Sequence, residues 1–171
     1  NKELIIFRRV NEAISLAPDV EAVARSILDI VIDVTPAENA SIMMPTSDNL
    51  RLEIKAAKGR KDKRSRYSEE SLGQIFSIGE GIAGVAARGS KPIIIHDTSK
   101  DERFQARDNK VSIGSILSLP LIYNKDELVG VLNLSHPKAF AFEDEDLHLI
   151  SILLSPAALA LRNAKLMREV E

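Results

Sequence analysis

Ser115-Ile116-Leu117-Ser118-Leu119-Pro120-Leu121-Ile122 and Glu127-Leu128-Val129-Gly130-Val131-Leu132-Asn133-Leu134-Ser135 stand on either side of Tyr123-Asn124-Lys125-Asp126. Both runs are too short and too evenly apolar for a helix, and the Asn and Asp between them favour a tight turn. They read as an antiparallel hairpin, the clearest in the chain. Alternation along the first strand puts Leu117, Leu119 and Leu121 on one face and Ile116 and Ser118 on the other, without assigning either face to the interior.

Working outward, the pattern adds strands around this hairpin and helices at both ends. Pro92–His96 and Gln74–Ile78 are short strands, with a glycine-rich turn at Gly79–Gly84 and a short helix over Ile82–Arg88 closed by Gly89. Ala40–Met44 and Leu50–Ala57 pair across Pro45-Thr46-Ser47-Asp48-Asn49, which has hairpin-loop composition. In the first helix, Ile6, Val10, Ala13, Ile14 and Ala17 recur at helical spacing. Asp19 then caps a second helix striped by Val20, Val23, Ala24, Ile27, Val31 and Val34.

The last helix opens on Glu143, Asp144, Glu145 and Asp146, where a helix N-terminus favours negative charge. Leu147, Ile150, Leu154, Ala157, Leu161 and Ala164 form one stripe along it; Leu149, Leu153, Ala160 and Met167 form another. One stripe serves the sheet and the second requires a partner, for which we expect a second copy of the chain. Pro156 predicts a kink near Ile152.

The 171 residues fit a single domain spanning 1–171, with 1–17 and 143–171 as terminal helices. A net charge of −2 gives no domain-wide case for nucleic acid or an anionic membrane, and no uninterrupted apolar run reaches the roughly 18 residues of a span. The absence of cysteine removes thiol catalysis, Cys-ligated metal and thioether-linked chromophores. With no leader at Asn1, the expected location is the cytoplasm.

Few residues point to chemistry. Gly79-Glu80-Gly81-Ile82-Ala83-Gly84 matches the dinucleotide pattern G-x-G-x-x-G, but the helix that follows is too short to cross to a parallel strand. The glycines therefore read as a tight turn, with the amides of Ile82, Ala83 and Gly84 open to an anionic group. Asp97 reads as a turn cap, a ligand contact or both. His96, His136 and His148 lack the spacing of metal ligands, and no Ser stands beside a His with an acidic orienter. No catalytic or metal residue is assigned. Lys58–Tyr67, rich in Lys and Arg, reads as a solvated loop whose replacement by Ser leaves stability nearly unchanged.

The order of elements, with three segments, resembles a GAF domain. These are Gly81-Ile82-Ala83-Gly84-Val85-Ala86 with Lys91-Pro92-Ile93-Ile94-Ile95, Asp97, Ser99-Lys100-Asp101 and Phe104; the hairpin with Leu119-Pro120-Leu121 and Leu128–Leu134; and Phe142 with Asp146-Leu147. The resemblance implies an α+β fold: a central antiparallel sheet of five or six strands, N- and C-terminal helices on one face and a ligand pocket on the other. The pocket would be roofed by the short helix and Asp97–Asn109. Asn133, Phe140, Asp144 and Glu145 match part of the family's cyclic-nucleotide pattern, but Leu134 replaces the Lys whose ion pair completes it. The bilin attachment and methionine-sulfoxide reductase activity known in the family both depend on Cys.

The expected function is therefore a non-enzymatic, cytoplasmic sensory domain. It binds a small molecule and signals through a helical homodimer to a histidine kinase, nucleotide cyclase or transcriptional activator, with no direct contact to nucleic acid or membrane and no cofactor assigned. Expected ligand-binding residues are Ile82, Ala83, Asp97, Phe104 and Ser118, the last because a small polar group sits more easily beside a ligand than in a helix-facing core. A dimerisation module without ligand is the alternative, which filling of the pocket by Met43, Phe76, Ile95 and Leu119 would favour.

Overall fold

A computed structural model describes residues 2–16, 19–60, 72–79, 81–102 and 113–170. Helices α1 (Lys2–Leu16) and α2 (Val20–Val34) precede strands β1 (Asn39–Pro45), β2 (Arg51–Gly59) and β3 (Ile75–Ser77). Helix α3 (Gly81–Gly89), strand β4 (Ile93–Ile95) and a 3-10 turn at Thr98–Lys100 follow. Strands β5 (Ser115–Tyr123) and β6 (Glu127–His136) lead into α4 (Asp144–Val170). The six strands form one sheet in the order β3-β2-β1-β6-β5-β4, and the described pairings are antiparallel. Asn124 and Lys125 both take positive φ in the β5–β6 turn, the handedness that matches the twist of a hairpin.

Leu117, Leu119 and Leu121 face the main core with Ala40, Ile42, Met44, Leu132 and Leu134, beneath α1, α2 and α4. The opposite face carries two smaller apolar clusters. Met43, Leu52, Ile54, Val131 and Ala87 make one; Ala86, Ile93, Ile95 and Ile116 make the other. Helix α3 contributes to both and so covers this second face. Of the four residues expected to fill a pocket, Met43 and Phe76 belong to the first small cluster and Ile95 to the second. Leu119 points the other way into the helical core, a correction that follows from its sharing a face with Leu117 and Leu121.

A bulge explains how β2 serves both faces. Ile42 pairs with Ala56 but Met43 pairs with Ile54, leaving Lys55 as the extra residue. Leu52 and Ile54 consequently join the α3 side while Ala56 joins the helical core. Lys55 lies 2.6 Å from Glu53 and 3.9 Å from Glu21 on α2.

The second stripe of α4 finds its partner inside the chain. Leu149, Leu153 and Ala160 are buried in the same core as α1 and α2; of that stripe only Met167 is exposed. The expectation that this stripe seeks a second copy is thereby corrected: α1 and α2 flank α4 and cover it. By length and composition Asp144–Met167 is also apolar enough to cross a membrane, the composition this packing requires. Pro156 lies within α4 and does not end it.

The basic segment is also corrected where it is described. Lys58 belongs to β2 and pairs with Asp29. The Arg60 guanidinium donates to the carbonyls of Ile32 at 2.6 Å, Thr35 at 2.9 Å and Ala37 at 3.0 Å, closing the C-terminal end of α2. Residues 61–67 lie outside the described residues. Helix ends leave carbonyls unpaired, and a planar cation with several donors satisfies them together. Arg60→Ala is therefore expected to cost about 2 kcal/mol in a urea titration, with Arg60→Lys recovering only part of it, whereas a solvated residue would change stability by about 0.5 kcal/mol or less.

Candidate functional site

The sheet face beneath α3 carries a row of polar side chains across three adjacent inner strands, β1, β6 and β5. Register places Ser41 on β1 opposite Asn133 on β6, and Asn133 opposite Ser118 on β5. Ser118 Oγ donates to Asn133 Oδ1 at 2.7 Å, and Asn133 Nδ2 donates to Ser41 Oγ at 3.3 Å. Ser41 and Ser118 are fully buried. The next row on the same face pairs Asn39 with Ser135 and Ser135 with Ile116. Asn39 Oδ1 is buried without a hydrogen-bond partner among the described residues. Buried polar groups are nearly always satisfied, so an orphaned acceptor beside a satisfied row marks a place where something else donates. Ile93 and Ile95 on β4 pair with Ser118 and Ile116 and wall the site on that side.

Ser118 is thus on the face expected of it. Ile82 packs against the Ile93–Ile116 cluster on this same side, and Ala83 against the Met43–Val131 cluster. Asp97 takes the capping role: its carboxylate accepts from Ser99 Oγ at 2.7 Å and Ser99 N at 3.1 Å. The Ser99 hydroxyl bond, ahead of its amide, holds the Asp97 carboxyl below the usual carboxylate range. Phe104 lies outside the described residues.

The glycine turn before α3 has a steric explanation. Gly79 and Gly81 take positive φ, and a Cβ on Gly84 would lie 2.6 Å from the Ser77 carbonyl oxygen. Gly89 ends α3 as its last helical residue, and Ser90 after it takes the left-handed φ.

The residues matching the cyclic-nucleotide pattern do not converge. Asn133 is in the polar row, Leu134 faces the helical core, and exposed Phe140 stacks on His96 with ring centroids 5.7 Å apart. Glu145 lies 3.9 Å from Lys2. The three imidazoles are equally dispersed: His136 accepts from Lys138 N and His148 meets Glu3. Among the described residues no group of three or more His, Cys, Asp and Glu is placed to hold a metal ion.

Sequence reasoning singled out Ser118 but not Ser41, Asn39 or Ser135. Their signal is polar residues two apart in otherwise apolar strands, Asn39-x-Ser41 and Asn133-x-Ser135.

A sheet in this order, with terminal helices on one face and a short helix over the other, invites comparison with known domains. A family model described as a GAF domain matches residues 17–162. The chain belongs to the GAF domain family. GAF domains are generally sensory or regulatory modules of signalling proteins. Solved structures agree on the fold. The GAF domain of a phosphoenolpyruvate-protein phosphotransferase from Acinetobacter is 20% identical, covers 99% of this chain and 98% of its own, and superposes with a TM-score of 0.81. That of Coxiella burnetii is 18% identical over 98% and 97%, with a TM-score of 0.83. Free methionine-R-sulfoxide reductase from Neisseria meningitidis, at 12% identity over 98% and 94%, reaches 0.74, so the same fold also carries an enzyme. Comparison with curated proteins finds no match.

Proposed function

We propose that this GAF domain is a cytoplasmic sensory domain that binds a small molecule between α3 and the polar row and signals through its terminal helices. The effector would be a histidine kinase, nucleotide cyclase or transcriptional activator. The observation that carries this reading is the orphaned, buried Asn39 Oδ1 beside the Ser41–Asn133–Ser118 row. A protein that needed only a packed sheet face would gain stability from apolar residues at these positions. Ile82, Ala83 and Ser118 contribute to the site, with Asp97 shaping the turn beside it and Phe104 as a further contact. The reading is non-enzymatic: sulfoxide reduction on this fold depends on Cys, and these 171 residues have none.

For transmission, Leu4, Ile5 and Phe7 on α1 and Leu159, Leu166 and Met167 on α4 are exposed apolar residues, which suit a parallel homodimer through the terminal helices. A dimerisation module without ligand is the second reading, favoured by the packing of Met43 and Phe76 in one small cluster and Ile95 in the other.

Mass spectrometry of material released on denaturing the purified protein tests the reading. A compound is expected from the wild type and about tenfold less from Asn133→Leu, since losing a buried hydrogen-bonding group costs about 1–3 kcal/mol. Equal amounts from both proteins would move the binding site elsewhere. Release of nothing, with a dimer by light scattering, would leave the ligand-free module; a monomer at low micromolar concentration would remove the helical signalling route.

A further inference from the structure

Resting on the ligand-binding reading above, we propose that the occupant of this face is an uncharged cyclic amide, whose ring N–H donates to Asn39 Oδ1 and whose carbonyl accepts from the Ser41 hydroxyl. The polar row has a direction. Ser118 donates to Asn133 and Asn133 donates to Ser41, so Ser41 enters the row as an acceptor and its own proton is left over. Two residues along the same strand and on the same face, Asn39 is 6% exposed with an acceptor oxygen that nothing among the described residues satisfies.

A donor and an acceptor side by side on one strand are complementary to a group that carries an N–H next to a C=O. A cyclic amide holds the two on one edge, so little conformational entropy is lost on binding. Its apolar ring faces suit the aliphatic neighbours of Ser41 on this face, Ala57 opposite it on β2 and Met43 two residues along β1. Among the described residues that register places in these two rows, every side chain is uncharged. An ion taken from water to a site with dipoles alone bears an uncompensated desolvation cost, so the neutral form binds.

Uracil, 1,3-dimethyluracil and orotate separate these requirements. The first offers the N–H and C=O edge, the second has its N–H groups methylated, and the third carries an added carboxylate. Binding is read by NMR titration of the wild type, following the amides of Asn39, Ser41, Asn133 and Ser135. Uracil is expected to perturb these signals, with the dimethyl compound and orotate each weaker by about tenfold or more. In Asn39→Ala the preference for uracil over its dimethyl derivative is expected to vanish while the melting temperature holds or rises, because removing an unpaired buried acceptor does not destabilise the fold. Asn39→Ser makes the same comparison if Asn39→Ala fails to fold.

Equal affinity for uracil and dimethyluracil, persistence of the preference in both Asn39 variants, or no binding by uracil overturns the inference. If a compound is nonetheless released from the denatured wild type, the sensory reading survives and only the ligand class falls. If none is released either, both fall.

Discussion

Leu153→Glu is expected to abolish cooperative folding, and Met167→Glu to leave the domain folded. The two residues lie on one line of α4, but Leu153 is 1% exposed in the main core and Met167 is 71% exposed. The change at Leu153 forfeits about 1.5–3 kcal/mol of apolar burial and strands a carboxylate among aliphatic side chains at a further cost of several kcal/mol. Together these approach the whole stability of a domain, about 5–15 kcal/mol. At Met167 the change falls within about 0.5 kcal/mol. Circular dichroism with urea titration of both variants measures this; a Leu153→Glu protein melting cooperatively near the wild type would mean that this face of α4 is not interior. The Met167→Glu protein then serves the association experiment, where light scattering is expected to show weaker dimerisation with the fold intact.

Gly114→Ala is expected to cost about 3 kcal/mol, a fall of roughly 6–12 °C in melting temperature for a domain of this size. A Cβ at Gly114 would lie 2.5 Å from three backbone atoms, Ala139 N, Lys138 C and Pro137 O. None of these is the end of a side chain that swings aside. Gly114 is also held from both directions, its amide donating to the His136 carbonyl at 2.8 Å and its carbonyl accepting from Thr98 N at 2.9 Å. Any relief must therefore move the strand end, the 3-10 turn or the segment leading to α4. Gly89→Ala is the control, because a Cβ there meets nothing within 4 Å and Gly89 is helical. It is expected to be neutral or stabilising by up to about 1 kcal/mol. Equal melting temperatures for the two variants would refute the steric argument.

Most elements were legible from local signals. Asp19 accepts from Ala22 N as an N-cap, the α2 stripe is buried but for half-buried Val34, and the turn residues between β5 and β6 sit where their composition put them. The faces of β5 were separable by alternation, and the argument from the size and polarity of Ser118 chose between them correctly. The errors share a cause. Leu153 looked available for a second copy because a helix stripe records that it is apolar, not what covers it; α1 and α2 arrive from far away in sequence. Arg60 looked solvated because charge in a run predicts exposure, whereas its carbonyl partners are Ile32, Thr35 and Ala37, at least 23 residues earlier.

By itself the sequence determined the helices, the paired strands, the glycine turn before α3 and, through the order of its segments, the GAF family. These follow from periodicity, capping and turn chemistry, which act over a few residues and leave a readable pattern. Only the tertiary structure decided which residues form the candidate site. The hydrogen bond from Asn133 to Ser41 spans 92 positions in the chain, and the bulge at Lys55 reassigns the faces of β2 without any mark in its composition. The orphaned oxygen of Asn39 likewise exists only once β1 is buried between β2 and β6. Convergence of that kind is set by strand register and sheet order, and those come from the packing of the whole domain rather than from any one segment.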